Sequence, residues 1–585
     1  MQSMIHMIEV NAHEKKIPAG HIYCLCFLFG ISIVYWIISP IGVDMPFHIL
    51  RIGELGKELA RGTSFPVYMY RDVYSHYGYP LPIFYCSLFL YPFSVLVALG
   101  LQALTAYKIM LLVCMWTTFL VAYICIGRVP EYKNRQFVGA FIYTLQPFLV
   151  NELFIRASIG AACVFIFIPI VLLGLYLIWH SAFLKGTLAL AGGMAGIVSS
   201  HVVSTVLIVA ALAVVYITMI VCRFNNGDKG FIPRSLMAVF TSAFICLFMT
   251  AWYIAPMIEQ FIRYEFKGQT VTGLQIAGEG PVSILIPMHL STILTHLLNH
   301  YVRISEIGGV PLFMLAFTIY LLVTGQIRYM GVRQRVILVI YHLLCLVLFI
   351  RPLWNYLGRY LGFMQFTWRV FLIISVLGFC VCFSLMKPDD FGCVKVQIVL
   401  VSLSTLYILI FFFGYYGIRN FLPSVISGTI GHEVEEYEYT SETWDNLYIP
   451  TCMDENILSE QLRSVDVDLE YSKDTDISYT YEIDENRGLV MIDITKNTAT
   501  ETTYLTVPFI MYSGYRAYNT IKDEEYELVQ ASDGMTDVSI PPGTVGRVIV
   551  DYSGTVVQKA TLLLSIIAFV FFLFGIRVVS RRNGS

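Results

Sequence analysis

The stretch Ile159–Trp179, "IGAACVFIFIPIVLLGLYLIW", contains no charged side chain. A helix that crosses the hydrocarbon core of a bilayer needs about 20 such apolar residues. Similar runs recur along the chain: 57% of its 585 residues are hydrophobic and only 14% are charged, and the mean hydropathy is +0.68. This composition excludes an ordinary water-soluble globule and predicts a polytopic α-helical membrane protein.

The distribution of Lys and Arg predicts the topology, because short cytoplasmic loops are enriched in both. Lys15 and Lys16 place the N-terminus inside, so a first helix at about 20–40 leads to the outer face. A crossing at 80–100 would put the later basic loops outside, so we expect a re-entrant or juxtamembrane helix there, within a first outer loop of about 41–105. About twelve transmembrane helices are then predicted, the later eleven at about 106–127, 137–150, 159–179, 187–200, 203–222, 236–256, 308–325, 336–350, 369–386, 396–416 and 557–579.

The long polar stretch near the C-terminus has a different pattern. "DISYTYEI" and "GLVMIDITK" alternate apolar and polar residues, which is typical of half-buried strands. We therefore predict three parts: a transmembrane domain over 1–429, a small extracytoplasmic β domain over 430–555, and a C-terminal helix with a basic tail over 556–585. The acidic character of the β region argues against a nucleic-acid partner.

The segment "GVDMPFHILRIGEL" follows the first apolar run and carries three candidate functional residues. Asp44, His48 and Arg51 are spaced i, i+4 and i+7, which places them on one face of a helix. One interpretation is a site at the outer leaflet. The alternative is structural: Asp44 caps the helix, Pro46 occupies its first turn, and His48 and Arg51 form a solvated face.

The second predicted outer loop contains Glu152 and Arg156, again spaced i, i+4. The pair is explained by a simple ion pair on a helix. Alternatively, Arg156 binds phosphate, since guanidinium pairs bidentately with phosphate oxygens and ionisable groups are costly at membrane depth. His201, in "VSSHVVST", is a further candidate, although a hydrogen-bonded core histidine is the commoner outcome.

The segment "GRYLGFMQFTWRVFLI" opens a helix with four more candidates: Arg359, Gln365, Trp368 and Arg369. Interfacial anchoring is the structural alternative for Trp368 and Arg369.

The predicted outer loops contain two more candidate features, a tyrosine and a pair of histidines, each with a structural alternative. Tyr77, in "SHYGYPLPIFYCSLFLYP", is a candidate that an interfacial aromatic belt also explains. His296 and His300 have a spacing that could chelate a metal, but no carboxylate lies near them in the sequence.

Together these segments resemble a known family. "GVDMPFHILRIGEL", "HYGYPLPIFYCSLFLYPF", "QPFLVNELFIRASIGAACVFIFIPIVLLGL", "SSHVVST" and "FMQFTWRVFL" occur in the order seen in bacterial membrane proteins labelled pyruvoyl-tetrahydropterin-synthase-related, and "VPFIMYSGYRAY" resembles their outer β domain. The label implies no pterin chemistry. These proteins look like members of the GT-C superfamily of glycosyltransferases, akin to YfhO-type envelope glycosylation proteins.

The resemblance implies an inverting sugar transfer at the outer face of a bacterial cytoplasmic membrane. The donor would be a polyprenyl-phosphate sugar and the acceptor an envelope glycan or lipid, with the β domain binding the acceptor. Asp44 takes the place of the family's essential acidic residue, either as general base or as a metal ligand, and whether a divalent metal takes part stays open. His48 and Arg51 would orient Asp44, and Arg156, with Arg369 or Arg359, would bind the phosphate.

This sequence departs from the family pattern at one position. Family members often carry an acid where this chain has Ala161, and Glu152 is the residue that could replace it. The alternative functions are therefore a transporter (flippase) of lipid-linked glycans and a catalytically inactive scaffold for envelope assembly.

Overall fold

The computed structural model describes residues 19–38, 44–154, 156–270, 318–319, 321–323, 325–347, 351–361, 364, 367–385, 446–453, 464–519 and 524–581. Among these residues, five helices are long and apolar enough to cross a membrane, namely Ala103–Gly127, Ile159–Trp179, Val202–Asn225, Phe231–Arg263 and Val556–Arg581, and one bent helix pair would make six. The predicted membrane-protein character is thus confirmed. The count of twelve crossings stays a prediction. Those expected at 308–325 and 396–416 fall mostly or wholly outside the described residues, and the helices Phe183–Val198, Val332–Val347 and Phe371–Leu385 are shorter than the spans above.

The helical part is built from elements of very different length. In chain order they are α1 (Ala19–Ile38), α2 (Met45–Ala60), α3 (Leu81–Phe84), α4 (Tyr91–Ala98), α5 (Ala103–Gly127), α6 (Gln136–Thr144), α7 (Pro147–Phe154), α8 (Ile159–Trp179), α9 (Phe183–Val198), α10 (Val202–Asn225), α11 (Phe231–Arg263), α12 (Lys267–Thr270), α13 (Val332–Val347), α14 (Arg351–Leu361), α15 (Phe371–Leu385) and α16 (Val556–Arg581). Short 3-10 turns occur at Leu88–Leu90, Pro130–Arg135, Gln326–Tyr329, Thr367–Val370 and Asn446–Tyr448.

The segment predicted not to cross, 80–100, consists of short pieces. α3 has four residues, a 3-10 turn follows, and α4 has eight residues. At 1.5 Å per residue α4 is about 12 Å long, less than half of a hydrocarbon core of about 30 Å. The structure therefore gives this segment the broken form expected of a juxtamembrane or re-entrant element.

The crossing expected at 137–150 is not one continuous helix. The chain breaks between α6 and α7, and the bent pair Pro130–Thr144 and Phe148–Phe154 turns by 52°. Pro147 explains the break, because the residue before a proline is pushed out of the helical region while proline itself fits the first turn of a new helix. The break changes the direction of α7, the helix that contains Glu152, relative to α6.

α8 and α9 pack against each other through glycines. A Cβ atom on Gly174 would lie 2.8 Å from the backbone nitrogen of Leu190, and one on Gly186 would lie 2.6 Å from Ile178. Small residues allow this close approach of helix backbones in membrane proteins. The pair forms a rigid support for the loop that precedes α8.

The β domain has nine strands among its described residues: β1 (Asp466–Val467), β2 (Ile477–Asp484), β3 (Leu489–Asn497), β4 (Thr503–Ile510), β5 (Tyr515–Asn519), β6 (Glu524–Tyr526), β7 (Leu528–Gln530), β8 (Met535–Ile540) and β9 (Gly546–Tyr552). They form two antiparallel sheets, in the orders β1-β4-β8-β7 and β2-β3-β9-β5-β6. The predicted alternating segments are confirmed as β2 and β3.

One apolar cluster joins the two sheets. Val490 and Val550 from one sheet pack in the same cluster as Leu505 and Val538 from the other, and all four are fully buried. This arrangement is a β-sandwich, in which inward-facing residues alternate with outward-facing polar ones.

Hydrogen bonds join the β domain to the helical part. The Gln260 amide donates to the carbonyl of Ser513 at 2.9 Å, and the Ser513 N–H donates back to Gln260 Oε1 at 3.1 Å. Ile510 N–H donates to the carbonyl of Tyr77 at 3.2 Å. The loop between α2 and α3 therefore contacts the β domain directly, and both lie on the same side of the helices.

Candidate functional site

Asp44 occupies the N-cap position of α2 without acting as a cap. Pro46 stands in the first turn, where its missing N–H is not needed, but the Asp44 side chain makes no capping hydrogen bond to the helix. Its carboxylate oxygen Oδ2 instead lies 3.0 Å from Nε of Arg156, 112 residues away along the chain. The structural alternative for Asp44, a simple helix cap, is therefore wrong.

Arg156 is held in place by its own backbone. Its carbonyl accepts from the Asp44 N–H at 2.9 Å, and its N–H donates to the carbonyl of Asn151 at the same distance. The next residue, Ala157, has φ +61°, a left-handed conformation that costs energy for any residue with a Cβ. The carbonyl of Ala157 accepts from the Tyr107 hydroxyl at 3.3 Å, which helps to hold this turn.

The ion pair between Asp44 and Arg156 is only partly shielded from solvent. The Asp44 side chain is 27% exposed and that of Arg156 is 12% exposed. A small anionic or hydroxylic molecule can therefore reach this pair, while His48, Arg51 and Glu152 beside it are buried.

Glu152 lies one turn before Arg156 and is completely buried. Neither of its carboxylate oxygens has a hydrogen-bond partner within the described part of the chain. The charges of Arg156, Asp44 and Arg369 all act on it. The structural alternative, an ion pair between Glu152 and Arg156, is therefore not what the structure shows. Arg156 pairs with Asp44, and Glu152 is buried beside that pair.

His48 and Arg51 are both buried, so the interpretation as a solvated face is wrong. The Arg51 guanidinium donates to the carbonyls of Tyr85 and Cys86 at 2.9 and 3.1 Å and to the Ser87 hydroxyl at 3.3 Å. It also lies over the Tyr85 ring, 4.1 Å from the centroid. Arg51 thus fixes the loop after α3 against α2, and its Nη1 lies 3.4 Å from Nδ1 of His48.

His201 is the N-cap of α10. Its Nδ1 accepts from the Ser204 N–H at 3.1 Å, so any ring proton of the neutral side chain is on Nε2. The rings of His201 and His48 both stand about edge-on to Tyr85, with centroids 6.0 Å away in each case. His201 is therefore both a capping residue and a wall of the site.

Both histidines are held neutral. Burial lowers the pKa of His48 well below its usual value, and the charges of Arg51 and Arg156 lower it further. Burial does the same to the pKa of His201, with Arg369 and Arg156 adding to the effect. At neutral pH the positive charge of the cluster therefore resides on its arginines.

Arg369 joins the cluster from far along the chain. It lies in the 3-10 turn Thr367–Val370 directly before α15, and its charge acts on His201, Tyr85 and Glu152. The structure therefore brings together Asp44, His48, Arg51, Glu152, Arg156, His201 and Arg369.

Other predicted residues lie elsewhere or are not described. Tyr77 is buried, as are Tyr74 and Tyr79, and its carbonyl accepts from Ile510 of the β domain, so it is not part of an exposed aromatic belt. Gln365 falls outside the described residues, as do the side chains of Arg359 and Trp368. His296 and His300 fall outside them too.

Tyr85 is a site residue that the sequence analysis missed. Its partly buried ring contacts Arg51, His48 and His201. Gly160 makes room for it, since a Cβ there would lie 2.7 Å from the Tyr85 hydroxyl. One tyrosine in a segment that holds several gives no signal of this role, but a glycine at the start of an apolar helix is a hint of close packing.

Within the described residues, no three His, Cys, Asp or Glu side chains are arranged to hold a metal ion. Comparisons with known proteins add no relative: no family model, curated protein or solved structure matches this chain.

Proposed function

We propose that this protein transfers a sugar from a polyprenyl-phosphate donor to an envelope glycan or lipid, with Asp44 as the general base. The observation that carries the proposal is the partly exposed pair of Asp44 and Arg156, surrounded by buried charged groups beside helices fit to cross a membrane. A carboxylate next to a phosphate-binding guanidinium is the arrangement needed to activate a hydroxyl beside a phosphate leaving group.

The reaction has a simple bond balance. The acceptor hydroxyl oxygen attacks C1 of the donor sugar, the bond between C1 and the phosphate oxygen breaks, and polyprenyl phosphate leaves. The hydroxyl proton passes to the Asp44 carboxylate. Arg156, with Arg369 nearby, stabilises the negative charge that develops on the phosphate. Attack from the face opposite the phosphate inverts the configuration at C1.

The resting ion pair gives donor binding a second role. While Arg156 donates to Asp44, that carboxylate oxygen is engaged and is not open to an acceptor hydroxyl. A donor phosphate that takes over the guanidinium would release Asp44 when substrate is present. The backbone hydrogen bond between the same two residues keeps them adjacent after the side chains part.

The surrounding groups favour an anionic donor. Arg51, Arg156 and Arg369 carry positive charge, against the carboxylates of Asp44 and Glu152, while the two histidines are neutral. Arg51 is tied to the backbone of residues 85 and 86, so its role is to position α2 and not to contact the substrate.

One observation favours a second candidate, the lipid-linked glycan transporter. The bent pair formed by α6 and α7 carries a buried carboxylate, and broken helices with ionisable groups are features of transporters. The two functions differ in product: a transferase changes the covalent structure of the glycan, whereas a transporter only moves it across the bilayer.

The test compares envelope glycans made in cells that produce the wild-type chain or Asp44→Asn. We expect loss of one sugar substituent in the variant at unchanged protein level, with Glu501→Gln, which changes an exposed carboxylate of the β domain, as control. Normal sugar content in Asp44→Asn cells would overturn the assignment. Loss of all exported glycan would favour the transporter.

A further inference from the structure

A cavity of about 320 Å³ lies where the loop between α2 and α3, the β domain and the start of α16 meet. Its lining includes Phe65 and Arg71 from the loop, Arg487 from the turn between β2 and β3, and Lys559 and Leu562 from α16. None of the residues of the Asp44 cluster lines it. It is therefore a separate site.

The position of Lys559 sets the depth of this cavity relative to a membrane. It is the last charged residue before 560–576, a stretch without any charge in a helix able to cross the bilayer. A lysine directly before such a stretch lies at the level of the lipid headgroups. The cavity therefore opens where headgroups of the adjacent leaflet are found.

The two other ionised groups of the lining already have partners: Arg71 is ion-paired, and Asp551 accepts two hydroxyl hydrogen bonds. Arg71 donates to the carbonyls of Asn486 and Arg487 and to Thr63, and forms an ion pair with Glu58 at 3.1 Å. The carboxylate of Asp551 accepts from the hydroxyls of Ser553 and Tyr518. These groups build the walls of the cavity.

Arg487 and Lys559 are the cations left for a ligand. Arg487 has only a long contact of 3.6 Å with Asp484, and its side chain is 78% exposed, so that pair is weak. No acidic side chain of the described residues lies within ion-pair distance of Lys559. Next to these charges, Phe65 and Leu562 offer apolar surface.

We propose that this cavity binds the headgroup of an anionic glycerophospholipid, with the phosphate between Arg487 and Lys559 and the start of an acyl chain along Phe65 and Leu562. The bound lipid bridges the β domain to the membrane helix that follows it. A simple interfacial anchor explains Lys559 alone. It does not explain a cationic Arg487 that comes from a β-turn and lines the same cavity.

The test uses the full chain in mild detergent, incubated with phosphatidylglycerol that carries a photoreactive group near its glycerol. After irradiation, mass spectrometry maps the labelled peptides. We expect adducts on residues 63–69 or 559–562, at least fivefold fewer with the corresponding phosphatidylcholine. Arg487→Ala and Lys559→Ala should each lower the phosphatidylglycerol adducts severalfold, whereas Lys473→Ala, a loss of charge elsewhere on the β domain, should not.

Two results would overturn the proposal. Equal labelling of Arg487→Ala and wild type would mean that the β domain takes no part in binding. Complete competition by millimolar inorganic phosphate would mean that the site takes soluble phosphate and not a lipid. Neither result bears on the sugar transfer assigned to Asp44, because no residue is shared between the sites.

Discussion

Asp44 and Arg156 are joined twice, once by side chains and once by backbone. Nε of Arg156 lies 3.0 Å from Oδ2 of Asp44, and the Asp44 N–H donates to the Arg156 carbonyl at 2.9 Å. The backbone bond keeps the start of α2 beside the turn after α7 whatever the side chains do. The side-chain bond can therefore be exchanged for a ligand without separating the two segments.

The first prediction concerns this exchange. Asp44→Asn should bind polyprenyl phosphate severalfold more tightly than the wild type, because the phosphate no longer competes with a carboxylate for Arg156. Sugar transfer by the same variant should be lost, because an amide cannot accept the proton. Titration of the purified chain with polyprenyl phosphate measures the affinity, with Glu501→Gln, a change at an exposed carboxylate, as the control.

A fall in affinity in Asp44→Asn would contradict the exchange, since it would mean that Asp44 helps to hold the donor. That outcome leaves the general-base role to be judged by transfer alone.

The second prediction concerns the geometry of phosphate binding. Arg156→Lys keeps the positive charge and its attraction to Asp44, but an ammonium cannot form the bidentate pair of a guanidinium. We expect affinity for polyprenyl phosphate to fall about tenfold, equivalent to about 1.4 kcal/mol. Arg263→Lys is the matched control, because Arg263 is an exposed partner of Glu259 at the end of α11.

The same affinity in Arg156→Lys and wild type would show that only the charge of residue 156 matters. Any bidentate contact with the phosphate would then have to come from another guanidinium; Arg369 is the candidate, because Arg51 is bound to the carbonyls of Tyr85 and Cys86.

The third prediction separates a structural residue from the catalytic one. Arg51→Met should lower the stability of the folded chain by about 3 kcal/mol, because the carbonyls of Tyr85 and Cys86 lose a charged donor inside a buried site. The thermal unfolding midpoint in detergent should drop clearly, while Asp44→Asn leaves it unchanged. An unchanged midpoint in Arg51→Met would refute the positioning role.

Much of the fold is readable from the sequence because its signals are local. A run such as Ile159–Trp179 satisfies the length and polarity conditions for a membrane helix by itself, and strict alternation marks β2 and β3. A single crossing is predicted at 137–150 because hydropathy carries no information on backbone geometry, and so it does not show the break before Pro147. Apolar runs say nothing about a bend between them.

The sequence names several residues that the structure brings together, but it does not predict their contacts. Spacing places Asp44, His48 and Arg51 on one face, yet it cannot tell that Arg51 reaches the carbonyls of a loop more than thirty residues later. Likewise the i, i+4 spacing of Glu152 and Arg156 favours a local ion pair. In the structure Arg156 pairs with Asp44, which is distant in the sequence. That pairing depends on how the helices pack, and residue spacing along one helix does not predict it.

The fourth prediction concerns Glu152, the acid buried beside the ion pair of Asp44 and Arg156. Glu152→Gln keeps the shape of the side chain and removes a buried charge whose oxygens have no hydrogen-bond partner in the described chain. The unfolding midpoint should therefore stay the same or rise. If Glu152 replaces the acid missing at Ala161, sugar transfer should still fall at least tenfold. Full transfer by Glu152→Gln would assign it no role in the reaction.

The last prediction is a pH dependence in the β domain. Asp537 on β8 is buried opposite Thr506 on β4 and accepts from the Thr506 hydroxyl at 2.6 Å. Burial, together with the nearby carboxyls of Asp468 and Asp533, raises the pKa of Asp537 to about 7. In the unfolded chain an aspartate loses its proton near pH 4. The folded domain thus holds a proton that the unfolded chain releases, and its stability falls as the pH rises from about 4 to about 7.

Asp537→Asn should remove this loss, because the amide oxygen can still accept from Thr506 and no charge forms. Its stability advantage over wild type should grow between pH 5 and pH 7 and then level off. Hydrogen exchange of the β4 and β8 peptides, compared between the two proteins at each pH, measures it. Asp493→Asn is the control: Arg547 lowers the pKa of Asp493, so both states are ionised above pH 5 and its effect should not change with pH. A pH-independent difference for Asp537→Asn as well would show that Asp537 is ionised in the folded domain throughout this range.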